Sequence, residues 1–134
     1  MGKQRRAEVR IHGIRLSVQA GGAIRVFLNQ PDATVTTPGR GNDHFVGQAN
    51  LFSGFCVGGP GHCDPPSGPR RKFDFRPRPH KTPVNIRLDA TDAVNRLVGK
   101  GATDLNVTLV VVGADGKPND TLLKMDGVSL VFLD

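Results

Sequence analysis

The chain has no tryptophan or tyrosine and a single glutamate, Glu8, so much familiar chemistry is excluded at the outset. Without the two large polar-edged aromatics, the interior must be built from Phe, Val, Leu and Ile. One glutamate leaves paired-carboxylate catalysis to aspartates, and most of these stand beside Gly, Pro or Asn, where Asp is a turn residue. Only Ser17, Ser53, Ser67 and Ser129 are available as hydroxymethyl nucleophiles, and none lies in a Gly-x-Ser-x-Gly elbow. No glycine-rich loop carries the lysine of a phosphate cradle, and there is no internal repeat. No apolar run approaches the roughly 18–20 residues a membrane span needs. The start, Met1-Gly-Lys-Gln-Arg-Arg6, lacks the apolar stretch of a secretion signal. The sequence reads as soluble, with no self-sufficient active site and no cofactor of its own.

What is present favours short strands. A length of 134 residues fits one domain, and 17 Gly with 10 Pro among scattered β-branched residues suits turns and strands better than long helices. Val9 and Ile11 are followed by Ile14, Leu16 and Val18, so the apolar parity changes across His12-Gly13; one extra residue at a glycine predicts a β-bulge. Gly21-Gly22 then turns into Ile24, Val26 and Leu28, which alternate with Arg25, Phe27 and Asn29 as in a half-buried strand. These two runs are expected to form a hairpin. Further on, Phe45, Gly47, Ala49 and Leu51 are expected to face one way and His44, Val46, Gln48 and Asn50 the other.

Val84, Ile86 and Leu88 resume the alternation, and Asp89 is placed to cap a helix of about three turns whose stripe is Ala90, Val94, Leu97 and Val98, ended by Gly99 and Gly101. The run from Leu105 to Val112 turns apolar on both faces in its second half, which predicts the central strand. Turns at Asp115-Gly116 and Asp126-Gly127 precede the close of the chain. The expectation is an all-β single domain over residues 1–134: an antiparallel, jelly-roll-like β-sandwich of six to seven strands with one short helix. An irregular Cys/Gly/Pro-rich insert over residues 53–83 interrupts it, with Lys72-Phe73-Asp74-Phe75 as its one stretch that could be regular.

Chemistry, if any, sits in that insert. Cys56 and Cys63 are separated by Val-Gly-Gly-Pro-Gly-His62, flexible enough for the chain to fold back and let the sulfurs pair. A disulfide there is the first reading, and an exported or otherwise oxidising setting would go with it. The alternative is a copper or zinc site from Cys56, His62 and Cys63 with His80 or His44, which would suit a copper-delivery module. His12 and His44 otherwise read as surface residues.

The net charge of +6 is concentrated in Lys3, Arg5, Arg6 and Arg10 and in a strap of Arg70, Arg71, Lys72, Arg76, Arg78 and Lys81. Such groups attract phosphate or an acidic partner, so a nucleic-acid-binding module, with Phe73 and Phe75 stacking on bases, is a second alternative. The default is a solvated, proline-stiffened strap with both Phe rings packed on the sandwich, which makes nucleic acid an unfavoured partner. Of the two glycosylation sequons, Asn106-Val-Thr108 falls in the expected central strand, where a glycan would not fit, and Asn119-Asp-Thr121 is the other.

Several segments, in order, carry a resemblance: Val9-Arg-Ile-His-Gly-Ile14, Ile24-Arg-Val-Phe-Leu-Asn29 with Pro31-Asp32, His44-Phe-Val-Gly-Gln48, Val84-Asn-Ile-Arg-Leu-Asp-Ala-Thr-Asp-Ala-Val94, Leu105-Asn-Val-Thr-Leu-Val-Val111 and Asp126-Gly-Val-Ser-Leu130. Together they resemble the C-terminal β-domain that follows the dicopper domain in polyphenol oxidases and tyrosinases. The resemblance implies a noncatalytic cap that shields a type 3 copper site and regulates its latency, with the coppers and their six histidines on the partner catalytic domain. The four His of this chain lack the paired helical spacing of those ligands. Phe55, an apolar residue beside the Gly-rich loop, is the candidate for a side chain plugging the copper site. Fungal relatives carry Cys-x-x-Cys motifs proposed to hand over copper, but six residues separate the thiols here.

Overall fold

The computed structural model describes residues 2–16, 22–51, 72–73, 84–119 and 123–133. Two antiparallel sheets face each other across one core. In the first, strand β1 (Arg6–Leu16) lies between β4 (Val84–Asp89) on one side and β7 (Gly127–Leu133) on the other, and the two-residue β6 (Leu123–Lys124) continues the second side against Arg15 and Leu16. In the second, β2 (Gly22–Leu28) lies between β3 (Phe45–Leu51) and β5 (Val107–Gly113). A single helix, α1 (Thr91–Gly99), follows β4. At the flanks of the sandwich β3 comes close to β4, and β5 to β7.

Alternation supplies the inner faces. Ala7, Val9, Ile11 and Ile14 of β1 oppose Ile24, Val26 and Leu28 of β2, and Ala90, Ala93, Val94 and Leu97 close the same cluster from the helix. Each large aliphatic side chain so enclosed contributes about 1.5–3 kcal/mol relative to exposure. The expected all-β architecture with one helix is therefore present. No helix among the described residues is long and apolar enough to cross a membrane.

The parity change in β1 is a bulge. Pairing with β4 steps from Ile11↔Ile86 to Ile14↔Val84, and Gly13 takes φ +64°, a left-handed conformation that favours glycine. The slip returns Ile14 to the core face, in line with Ile11. The backbone amide of Gly13 is satisfied by Asn85 Oδ1 at 2.9 Å, and the carbonyl of His12 accepts from the Asp126 amide at 2.8 Å.

Five local expectations are corrected. The β1 and β2 runs do not form a hairpin: each is the middle of a different sheet, with both of its edges taken by later strands. The central position in the second sheet belongs to β2, and β5 pairs only with β2 among the described strands. Nor is β2 half-buried, because Phe27 on its outer face is fully enclosed.

There the segment 29–44 folds back over the sheet. The Arg25 guanidinium sits 5.2 Å from the Phe27 ring centroid and 5.4 Å from that of Phe45, and donates to the Val35 carbonyl at 3.2 Å. Gly39 lies so close that a Cβ there would be 2.9 Å from Arg25 Nη2 and 3.1 Å from the Phe45 ring. Phe45 reaches this outer layer because the β2–β3 register slips between Val26↔Gly47 and Phe27↔Phe45, which puts it on the face opposite to Gly47, Ala49 and Leu51 and sends Val46 to the core.

The helix begins one residue later than expected. Ala90 is the N-cap, while Asp89 Oδ1 accepts from the Thr91 amide at 2.9 Å and from the Thr91 hydroxyl at 2.6 Å. Its end is as the glycines suggest: Gly101, at φ +96°, donates to the Val98 carbonyl and Ala102 donates to that of Leu97, a Schellman closure.

Candidate functional site

Strand pairing fixes where the insert is attached. Leu51 ends β3 opposite Gly22, and Val84 begins β4 opposite Ile14. Residues 52–83 therefore leave and rejoin the sandwich at one pole, where β1 ends and β2 begins. The turn at 113–117 shares that pole, since Gly113 also pairs with Gly22 and accepts from the Gly116 amide at 2.9 Å.

Phe55, Cys56, His62, Cys63, Arg70, Arg71, Phe75, Arg76, Arg78, His80 and Lys81 lie outside the described residues. Lys72 and Phe73 are described. They form a turn, not a strand, with Lys72 Nζ 5.4 Å from the Phe73 ring centroid. Phe73 is 77% exposed, so its ring does not pack on the sandwich as the strap reading expected.

His44 stands at the opposite pole, where its Nδ1 lies 2.7 Å from the Leu28 carbonyl, which fixes that nitrogen as the N–H donor. Among the described residues no three of His, Cys, Asp or Glu gather as a metal site would require. Asn106 is exposed ahead of β5, joined through its backbone to Asn29, so the sequon at Asn106 does not lie in a central strand.

The outer face of the first sheet carries charge that the sequence displayed but did not sort. Residues two apart on a strand share a face, and Arg6, Glu8 and Arg10 do so on β1. Glu8 is buried, with Arg6 Nη2 at 2.8 Å from one carboxylate oxygen and Arg10 Nε at 3.2 Å from the other. Two of the four amino-terminal cations thus share one buried carboxylate, which cancels a single positive charge. Arg87 faces Arg10 across the strand pair. His12 reaches across Gly127, which has no side chain, to the Ser129 hydroxyl at 2.8 Å. This Ser–His contact lies on an exposed sheet face, where water competes for both groups, and it belongs to the surface.

At the helix pole, Asp43 pairs with Lys100, and Arg96 Nε lies 3.9 Å from Asp43. The hydrogen bond from Lys100, aided by its charge, holds the Asp43 carboxyl below its usual range. The cluster fastens the segment 29–44 to the end of α1, and Arg96 also donates to the carbonyls of Asp43 and Phe45. Next to it an open cleft of about 680 Å³ is lined by Lys3, Asp92, Asn95, Arg96, Val98 and Gly99. Asn95 bridges it to the amino-terminal segment by bonds to the Gln4 amide and carbonyl at 2.8 and 2.9 Å. Its lining offers two cations and a carboxylate for polar contact, and no hydroxyl or thiol nucleophile.

Comparison of the chain with protein-family models, with curated proteins and with solved structures gave no match.

Proposed function

We propose that this chain is a noncatalytic cap domain for a tyrosinase-like, type 3 copper phenol oxidase, which it keeps latent by covering the dicopper site. The single observation that carries the reading is the anchorage of residues 52–83: both ends of this Gly-, Pro- and Cys-rich segment are held by strand pairing at one pole of a packed sandwich. A packed sandwich that holds both ends of one long insert at the same pole is suited to act as a lid. The order of segments supports the same reading, with one helix between β4 and β5 where the resemblance to the polyphenol oxidase C-terminal domain expects it. In this role Cys56 and Cys63 pair to stiffen the insert, Phe55 points toward the partner, and copper belongs to the catalytic domain alone.

The test is oxygen uptake on catechol by a dicopper catalytic domain freed of its own cap, with and without the purified chain in excess. A saturable fall in rate is expected, weaker with Phe55→Ala. An undiminished rate, or oxygen uptake by the chain alone, overturns the proposal. Mass measurement under denaturing conditions should show a gain of two hydrogens on reduction if the thiols are paired.

A further inference from the structure

The four flanking strands of the sandwich are not equally protected against another chain. On β4, Arg87 and Asp89 are exposed, and on β3, Gln48 and Asn50 are exposed. The end of β5 is occupied by its own return, in which Pro118 bridges to Val112 and the Asn119 amide donates to the Val111 carbonyl at 3.1 Å. Charges, prolines and local coverage are the usual means by which sheet edges avoid association. Strand β3 is likewise uncharged and proline-free, but its exposed side chains are amides; β7 lacks charge, proline and, among the described residues, cover, and its exposed side chains are apolar. Its sequence, Gly-Val-Ser-Leu-Val-Phe-Leu over 127–133, is uncharged and proline-free, and among the described residues it pairs only with β1.

Its inner face is also open. Val128, Leu130 and Phe132 are registered with Ile11, Val9 and Ala7, all on the core side of β1. Yet Val128 remains 37% and Phe132 41% exposed, while their partners on β1 are fully buried. Across the gap Val107, Leu109 and Val111 of β5 are only partly buried. Among the described residues the sandwich is therefore left with an apolar, partly open slot along its β5/β7 flank, bounded by a strand with no second partner.

We infer that a second copy of this chain closes the slot, through antiparallel pairing of β7 with β7 about a two-fold axis at Leu130. The register follows from self-complementarity. With Leu130 opposite Leu130 of the other copy, each Val128 falls opposite a Phe132 and each Phe132 opposite a Val128, so the two exposed apolar side chains of one copy meet those of the other. Ser129 falls opposite Val131 on the outer face, and no charged residue is brought within the paired strands. The first sheet becomes a continuous six-stranded one, β4-β1-β7 followed by its two-fold mate, and an isologous contact of this kind closes at two copies. A shift by one residue would turn the apolar set toward the outer face, and a shift by two could set Phe132 opposite Asp126, so the pattern favours this register.

The inference is independent of the cap function and is tested by sedimentation of the whole chain over a range of concentrations. Wild type should pass reversibly from the 14.3 kDa chain to twice that mass as concentration rises. Val128→Lys and Phe132→Asp should each remain monomeric. Mixing the two variants should restore a dimer, because the introduced lysine of one copy then meets the introduced aspartate of the other, while one native Val–Phe contact forms across the axis. Within one chain these positions lie about 13 Å apart along the strand, too far to satisfy each other. Circular dichroism establishes that each variant is folded. If either is not, hydrogen exchange of wild type at low and high concentration decides, with concentration-dependent protection expected in β7. A monomeric wild type at all concentrations, dimers of either variant alone, or a folded mixture that stays monomeric overturns the inference.

Discussion

Replacing Gly13 with alanine should test the bulge on which the first sheet depends. Glycine-to-alanine changes at sites with ordinary backbone angles usually stabilise a protein by about 0.4–1 kcal/mol, because the unfolded chain loses freedom. At Gly13 the sign should reverse. The left-handed conformation at φ +64° costs an alanine about 1–2 kcal/mol. The added methyl would also collide with the Asp126 carboxylate, lying 2.5 Å from its Cγ and 3.0 Å from its Cβ, so the whole side chain must swing aside. Driving that side chain off its rotamer adds about 0.5–1.5 kcal/mol. The combined loss of about 2–3 kcal/mol corresponds to a melting temperature lower by about 10 °C in a domain of this size.

Urea and thermal unfolding of Gly13→Ala, Asp126→Ala and the double variant separate the two contributions. In the Asp126→Ala background the collision is absent, and Gly13→Ala should cost only the backbone strain. A neutral or stabilising Gly13→Ala would refute the bulge geometry. Equal losses in both backgrounds would refute the contact with Asp126.

Two further outcomes are expected. Arg25→Lys keeps the charge but loses the flat contact with Phe27 and Phe45, and should lower the unfolding free energy by about 1–2 kcal/mol; an unchanged urea midpoint would show that the outer layer of the second sheet does not depend on the guanidinium. Asp89 is held below its ordinary 3.8, first by the hydrogen bond from the Thr91 hydroxyl and then by that from the Thr91 amide. Because the folded value is the lower one, the stabilising contribution is complete above the unfolded carboxyl's range and fades as pH falls from there through the folded value. Acid unfolding of Asp89→Asn should therefore be shallower than that of wild type below about pH 4, and superimposable acid limbs would remove Asp89 from the account.

The residues made some of this architecture readable and left other parts silent for a definite reason. Alternation is a local property, and it placed Val9, Ile11, Ile24 and Val26 on inner faces. The slip at Gly13 was readable too, because one extra residue disturbs the local period. Partner choice is not local. The runs around Ile11 and Ile24 look like a hairpin across Gly21-Gly22, but the alternation would be identical whether their edges met each other or met β4, β7, β3 and β5. Phe27 looked solvent-facing for a similar reason, since its cover comes from Arg25, Phe45 and a segment with no periodicity. The second slip, at Val46, leaves the alternation of Phe45, Gly47, Ala49 and Leu51 unbroken in the sequence, and so the period puts Phe45 on the wrong face. Of the candidate site, the sequence displayed the composition of the insert, while its attachment to a single pole required the pairing of Leu51 and Val84.

Because β1 is the middle strand of its sheet, with Glu8 paired to Asp89 on one side and to Val131 on the other, the first strand of this sandwich waits for its last. Both ends of the stretch from Arg6 to Leu133 must have left the ribosome before that sheet can assemble. Closing such long loops places folding toward the slow end, about milliseconds to seconds, for a domain of this kind. During that interval an apolar strand is exposed with no mate, so the step most in need of a chaperone or of dilution is the wait of Val9 and Ile11 for their neighbours.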